Sequence, residues 1–467
     1  MTSKTSTKRT RSDFRSDEIY KSQSIEQSLT PPETPPYDKI TTQPLHPWPE
    51  PETVPEETIL RKRRKTLVED VEFNLTHQEV LLLHAPKQRY EHTKQQPIPE
   101  LKTDREMLVE VEVVGLNPID WKAPYVSEIR SGRTTLIINS DFGWGLPALP
   151  CISGRDLAGK VVKTPKSKSR FCKGDNIMAI STDYRDNRKA AYQQYAVVSD
   201  FNACRLPDHV KSADAAPLGV AFVAAALALG ICMGVDFGRS SGARGPNLLR
   251  TVHGLARVAL PKDIEKECFD SIAETEGAKE GDWIAIWGGS SASGCCAVQL
   301  AKLVGLKVIA IIDVARNGER MLKHGADLLV DRLDPERAVE IVKGVTKGKL
   351  RFGLDTRGKD SAKLLASVMQ SASEGSGSRA HLVGLVGVPK EPIDGVVYHS
   401  VPIKSFHEAP AVGEGLTIWL EKLLEQNLLH TPDIEVAAGG LEGINAALDR
   451  LRDGSVNGPR IVVPIKV

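Results

Sequence analysis

The sequence predicts an α/β chain: a β-rich domain, then a doubly wound parallel-sheet domain, behind a disordered N-terminal tail. Three observations carry this expectation. Short apolar strands separated by turn signals run through residues 77–199. After about residue 278, strands and helical segments alternate in βαβα order, which buries a parallel sheet between helices. The first 75 residues are instead rich in Pro, Thr and Glu, with too few aliphatics to offset chain entropy.

At 467 residues the chain is long for one core, so more than one domain is expected. Strand patterns fall at 79–84, 107–117, 156–162, 173–180 and 193–199. The stretch "AAPLGVAFVAAALALGICMGV" (215–235) approaches membrane-spanning length. Its Pro217, its three glycines and its lack of flanking basic residues favour a buried helix. Residues 236–277 mix helix and loop and read as an insertion without an evident role. Strands at 283–287, 307–312, 327–330, 351–355 and 380–386 then alternate with helices near 293–304, 316–324, 335–345 and 359–371. A helix at 416–426 and a final strand, "RIVVPIKV", bring the C-terminus back to the β-rich domain. The expected domains are a tail (1–75), a β-rich domain (76–225, completed by about 405–467) and a parallel-sheet domain (226–404).

Composition excludes several classes. Hydrophobic residues at 41% and charged residues at 26% fit a soluble protein, and no secretory signal is evident. With 61 Lys+Arg against 60 Asp+Glu, nothing favours a nucleic-acid or membrane-surface partner. Seven cysteines are too few for a disulfide framework in this length, so a reducing, cytoplasmic setting is expected. The basic clusters "KRTR" (8–11) and "RKRRK" (61–65) read as solvated charge runs or as a nuclear address.

The stretch "GGSSASG", Gly288, Gly289, Ser290, Ser291, Ala292, Ser293 and Gly294, lies between a strand and a helix. Glycines admit close backbone approach to an anion, and the helix N-terminus offers unpaired N–H groups and a positive dipole end. A nucleophile elbow fails because Ala292 stands at its second glycine, and no Gly-Lys-Ser/Thr completes a Walker loop. The spacing also departs from G-x-G-x-x-G. The βαβ context nevertheless favours a dinucleotide pyrophosphate over a plain turn. Asp313, at the end of the second strand, stands where an acidic residue accepts from an adenosine ribose hydroxyl. Cys295 and Cys296 read as small residues packing the first turn of the following helix.

"LVEVEVVGLNPIDWK", "ISGRDLAGKVV", "KGDNIMAI", "QQYAVV", "CRLPD", "GDWIAIWGGSSASGCCAVQLAKLVGLKVIA" and "LKHGADLLVD" follow one another along the chain. In this order they resemble the medium-chain dehydrogenase/reductase superfamily, most closely its zinc-independent quinone oxidoreductase and trans-enoyl reductase branch. The resemblance spans about 77–467 and implies a GroES-like β-rich catalytic domain and a Rossmann domain, with the active site between them. "NPID" and "GRD" (154–156) stand where zinc-dependent members carry a cysteine and Gly-His-Glu. Without soft or imidazole ligands there, no zinc is expected.

The resemblance also implies site residues. Asn117 and Asp120 would face the nicotinamide end, with Lys122 and Tyr125 close behind and Tyr125 as proton donor. Ser290 to Ser293 would hold the pyrophosphate. Val383, Gly384 and Leu385 would present backbone groups to the carboxamide, and Val456 and Asn457 would reach the cofactor from the C-terminal return. A family threonine that contacts the cofactor is replaced by Ala224. Asp313 favours NADH, whereas Arg316 and Arg332 suit a 2′-phosphate; the branch's habit favours NADPH, with NADH as the alternative. The expected activity is metal-free hydride transfer to a polarised C=C bond or a quinone in a small-molecule substrate, by a monomer or homodimer. The competing expectation is a non-catalytic dinucleotide sensor or regulator of the same fold.

Overall fold

The computed structural model describes residues 75–126, 149–181, 185–369, 378–456 and 458–465. The tail with its basic clusters, and most of 139–150, lie outside these residues.

Eight strands build the first part: β1 (His77–Leu83), β2 (Glu91–Pro97), β3 (Glu106–Gly115), β4 (Cys151–Ile152), β5 (Asp156–Lys163), β6 (Asn176–Ile180), β7 (Tyr195–Ser199) and β8 (Ala203–Arg205). A three-stranded antiparallel sheet has the order β2-β1-β4. The larger sheet runs β15-β16-β3-β5-β6-β8, with β7 also paired to β3. Its β15 (Ile434–Val436) and β16 (Arg460–Pro464) come from the end of the chain, and β16 lies antiparallel to β3. Alternating apolar residues explain β1 and β3, whose Leu81, Leu83, Val109 and Val111 enter one core. β2 reads "EHTKQQP", and a polar strand of this kind survives because it forms the sheet edge.

Six parallel strands form the second part: β9 (Trp283–Trp287), β10 (Lys307–Ile312), β11 (Leu328–Asp331), β12 (Phe352–Asp355), β13 (Ala380–Gly384) and β14 (Val396–His399). Their order, β11-β10-β9-β12-β13-β14, reverses direction at β9, the arrangement of a Rossmann sheet. Runs such as "KVIAII" suit strands covered on both faces. Helices Ala292–Leu303, Val314–Lys323, Pro335–Thr346 and Lys359–Ala366 connect them.

The helical stretch Ser212–Cys232 is long and apolar enough to cross a membrane, yet 89% of its most apolar window is buried inside the fold. It belongs to the same core as the helix Ala292–Leu303 after the glycine loop, which explains its small residues. The 236–277 segment is packed rather than loose. Phe237 lies 4.5 Å, centroid to centroid, from Trp419 of the helix Pro410–Glu425, and Leu248, Val252, Ile264 and Cys268 join the same core. The helix Gly440–Asp453 packs instead with the β-rich core through Leu441, Ile444 and Leu448. The chain thus leaves the parallel-sheet core after Pro410–Glu425 and re-enters the β-rich core from about β15.

Candidate active site

The loop after β9 turns sharply because Gly288 adopts φ +83°, a left-handed conformation that favours glycine. A Cβ there would also lie 2.2 Å from Thr356 Oγ1. Ser291 caps the next helix: its Oγ accepts from Gly294 N–H at 3.1 Å and donates to Thr356 Oγ1 at 3.0 Å. Thr356 in turn donates to Gly288 O at 3.0 Å. The first-turn amides of Ala292 and Ser293 have no intrahelical acceptor. At Gly294 a Cβ would come within 2.5 Å of Gly288 O, so this glycine lets the helix close onto the strand. The loop thus meets, at different spacing, the steric demands that a dinucleotide fingerprint places on its glycines.

Arg320 lies beside this loop, a residue the sequence did not single out. Its guanidinium donates to Ser290 O at 3.2 Å and to Gly458 O at 3.5 Å. Its Nε is buried without a hydrogen-bond partner among the described residues. A half-buried guanidinium with a spare, buried N–H next to a glycine loop fits a pyrophosphate.

Asp313 is 8% exposed and caps the helix Val314–Lys323, accepting from Arg316 N–H at 3.2 Å. Its other oxygen, Oδ2, lies 3.6 Å from Arg316 Nε and 4.0 Å from an Arg332 terminal nitrogen. The three residues expected to read the adenosine ribose are thus together.

A second cluster sits where β3, β5 and β16 meet. Asn117, 4% exposed, donates through Nδ2 to Asp156 Oδ2 at 2.9 Å and accepts at Oδ1 from Arg460 at 2.7 Å. Asp156, fully buried, also accepts from Val220 N–H at 2.8 Å. Burial pushes the Asp156 carboxyl up to about 7, against the opposing pull of Asn117 and Arg460. Arg460 Nε is buried and unpartnered among the described residues. Sequence reasoning missed Asp156 as a partner of Asn117, and missed Arg460 entirely.

Asp120 is 3% exposed and turned inward. Its Oδ2 accepts from Asn117 N–H at 2.8 Å and from Tyr192 Oη–H at 3.0 Å, and burial raises its carboxyl to about 6. Tyr90 donates to Asp120 O at 2.9 Å, edge-on to Tyr192 at 5.6 Å. This geometry holds the start of the helix Pro118–Val126. Asp120 is therefore placed to position Asn117. Lys122 stands on that helix with Nζ 5.6 Å from the Trp121 ring centroid. Tyr125 lies in its last turn, and its side chain is outside what the structure describes.

At the end of β13, Val383 and Gly384 are buried, and Leu385 N–H already donates to Asp355 O at 2.8 Å. The Leu385 amide is thus engaged within the sheet. Val456 packs on the β-rich core, and Asn457 lies outside the described residues. Among the described residues, the side chains spaced to hold a metal are Cys232, Glu267 and His399, none of them at "NPID" or "GRD".

The loop and the buried cluster are linked. Arg320 reaches from the loop to Gly458, and two residues on Arg460 reaches Asn117.

Comparison with known proteins bears on the fold and the relatives of the chain. Residues 103–208 match the alcohol dehydrogenase GroES-like domain. The trans-enoyl reductase ACTTS2 of Alternaria alternata is 25% identical over 381 residues, covering 79% of this chain and 94% of the relative. The trans-enoyl reductase FMN2 of Fusarium mangiferae is 26% identical over 381 residues, 77% and 92% of the two chains. Among solved structures, the quinone oxidoreductase of Pseudomonas syringae superposes with a TM-score of 0.59 at 17% identity, covering 83% of this chain and 99% of its own. The CurK enoyl reductase does so with a TM-score of 0.57 at 15% identity, over 83% and 99%. At such identities the superpositions show the fold alone.

Proposed function

Because the chain belongs to the medium-chain dehydrogenase/reductase superfamily, in its zinc-independent quinone and enoyl reductase branch, we propose that it reduces a C=C bond conjugated to a carbonyl, or a quinone, with NADPH. It is an NAD(P)H-dependent oxidoreductase. The observation that carries the proposal is the continuous connection from the glycine loop through Arg320 and Gly458 to Arg460 and Asn117. It joins a pyrophosphate cradle to a buried polar cluster within one frame.

The bound nicotinamide supplies a hydride; the protein supplies binding and orientation. Gly288, Gly289, Ser290, Ser291, Ala292, Ser293 and Gly294 cradle the pyrophosphate through backbone and hydroxyl donors, with Arg320 bracing the loop. Asp156 and Arg460 fix both ends of the Asn117 amide, so that side chain cannot rotate without breaking two bonds. Asp120 holds the Asn117 backbone and is a positioning residue. Tyr125, with Lys122 one turn earlier, is the proposed donor to the substrate oxygen. A conjugated acceptor needs no metal, because its own carbonyl takes up the charge that a hydrogen-bond donor then stabilises. Arg316 and Arg332 meet the 2′-phosphate of NADPH. The unbridged thiols of Cys151, Cys204, Cys232, Cys268, Cys295 and Cys296 suit a reducing, cytoplasmic compartment.

The test is NADPH oxidation, followed at the nicotinamide absorbance, across a panel of α,β-unsaturated ketones, enoyl thioesters and quinones. Turnover with at least one class is expected, and Tyr125→Phe should lower kcat about 10²-fold while leaving dinucleotide affinity unchanged. Tight dinucleotide binding without turnover across the panel would establish the sensor reading instead.

A further inference from the structure

The inserted segment supplies one member of a buried set of donor side chains that the reductase reading does not use. Cys232 ends a π-helical turn, Ala228–Cys232; Glu267 lies on the inserted helix Lys262–Phe269; His399 is the last residue of β14. One donor atom from each lies within 4.8 Å of the other two. We infer that these three side chains form a structural site for a zinc-class divalent ion, which ties the insertion to the parallel sheet. It shares no residue with the glycine loop or the Asn117 cluster and does not depend on the reductase reading.

Spacing, charge and orientation support it. Tetrahedral zinc, with ligands at about 2.0–2.3 Å, places its donors roughly 3.3–3.7 Å apart, so the set needs shifts of only about 1 Å. A thiolate and a carboxylate together neutralise a divalent cation, leaving no net charge where Cys232 and His399 are fully buried. Thiolate, imidazole and carboxylate are the ligand types zinc accepts.

The orientation comes from a second imidazole. His399 Nε2 lies 3.0 Å from His381 Nδ1, and both rings are fully buried. When His399 donates Nε2–H to His381, its Nδ1 lone pair faces Glu267 Oε1 at 2.6 Å. Two acceptors that close require a cation or a proton between them. A metal-binding imidazole fixed through its other nitrogen is the usual design of such sites. A shared proton is the competing occupant.

The experiment uses the full chain, purified under reductant, stripped with a chelator and titrated with Co²⁺. We expect a thiolate-to-cobalt charge-transfer band that saturates at one equivalent per chain and is displaced by Zn²⁺. Cys232→Ser should abolish the band, and His381→Asn should weaken binding by about 10–100-fold. Should Cys232→Ser fail to fold, X-ray absorption on the zinc-loaded wild type should count one sulfur among nitrogen and oxygen neighbours. No stoichiometric binding, a band that persists in Cys232→Ser, or a sulfur-free shell overturns the proposal and leaves the proton as occupant. NADPH oxidation by the stripped protein, measured in parallel, reports on the cleft alone.

Discussion

Asp313 caps a helix with the same carboxylate that is proposed to face a ribose. One oxygen is committed to Arg316 N–H, while the other sits between the side chains of Arg316 and Arg332. A 2′-phosphate brought to this corner meets two guanidinium groups and one carboxylate. Asp313→Ser keeps a capping hydroxyl and removes the negative charge. The NADPH-over-NADH ratio of kcat/KM should then rise about tenfold, measured with one acceptor at fixed ionic strength. An unchanged ratio would mean that this corner does not read the ribose. The three residues were legible in the sequence because they lie at adjacent strand ends. Arg320 and Arg460 were not, because their partners come from elsewhere in the chain.

Among the elements, the strand–loop–helix after β9 makes the sharpest demand on sequence. Gly294 opens a helix in which alanine has the better intrinsic propensity, by about 1 kcal/mol. A methyl group there would sit 2.5 Å from Gly288 O and 2.7 Å from Gly289 O. Packing therefore opposes propensity. Gly294→Ala should destabilise the protein by about 1–3 kcal/mol in denaturant melts and weaken dinucleotide binding. A stabilised variant would mean that the helix does not close onto the strand.

The parallel sheet could be read from its strand–helix alternation, and four of its five expected helices start within two residues of the expected place. The helix expected at 416–426 begins earlier, at Pro410, because its first turns pack against other elements instead of following a local apolar period. β2, β4, β8, β14 and β15 were missed: β2 is polar along its length, and the others are only two to four residues long. The 236–277 segment looked like an insertion without a role because its apolar residues lack periodicity. It is held by Trp419, which lies far along the chain.

At the scale of the whole molecule, the C-terminal return closes the β-rich sheet and brings Arg460 to Asn117, 343 residues away in sequence. The junction has a pH signature. Burial raises Asp156 to about 7 and Asp120 to about 6, above their ordinary unfolded values near 3.9. Between those limits the folded state holds protons that the unfolded state has released, so stability falls as pH rises from about 4 to about 7. Thermal melts of wild type and Asp156→Asn at pH 5 and pH 8 isolate the site. The wild type should lose more than the variant on going to pH 8. An equal loss would mean that Asp156 titrates as an ordinary carboxylate.

The sequence by itself determined the βαβα alternation, the glycine loop at the first strand of the parallel sheet, the acidic residue at the second strand end and the absence of soft ligands at "NPID" and "GRD". All of these are local patterns, set by residue type and short spacing. Only the tertiary structure decided that Asp120 faces inward, that Arg320 braces the loop, that Asp156 and Arg460 hold Asn117, and that Glu267 meets Cys232 and His399. Each depends on the path by which distant segments converge, and burial acts on a side chain only after that convergence removes it from water.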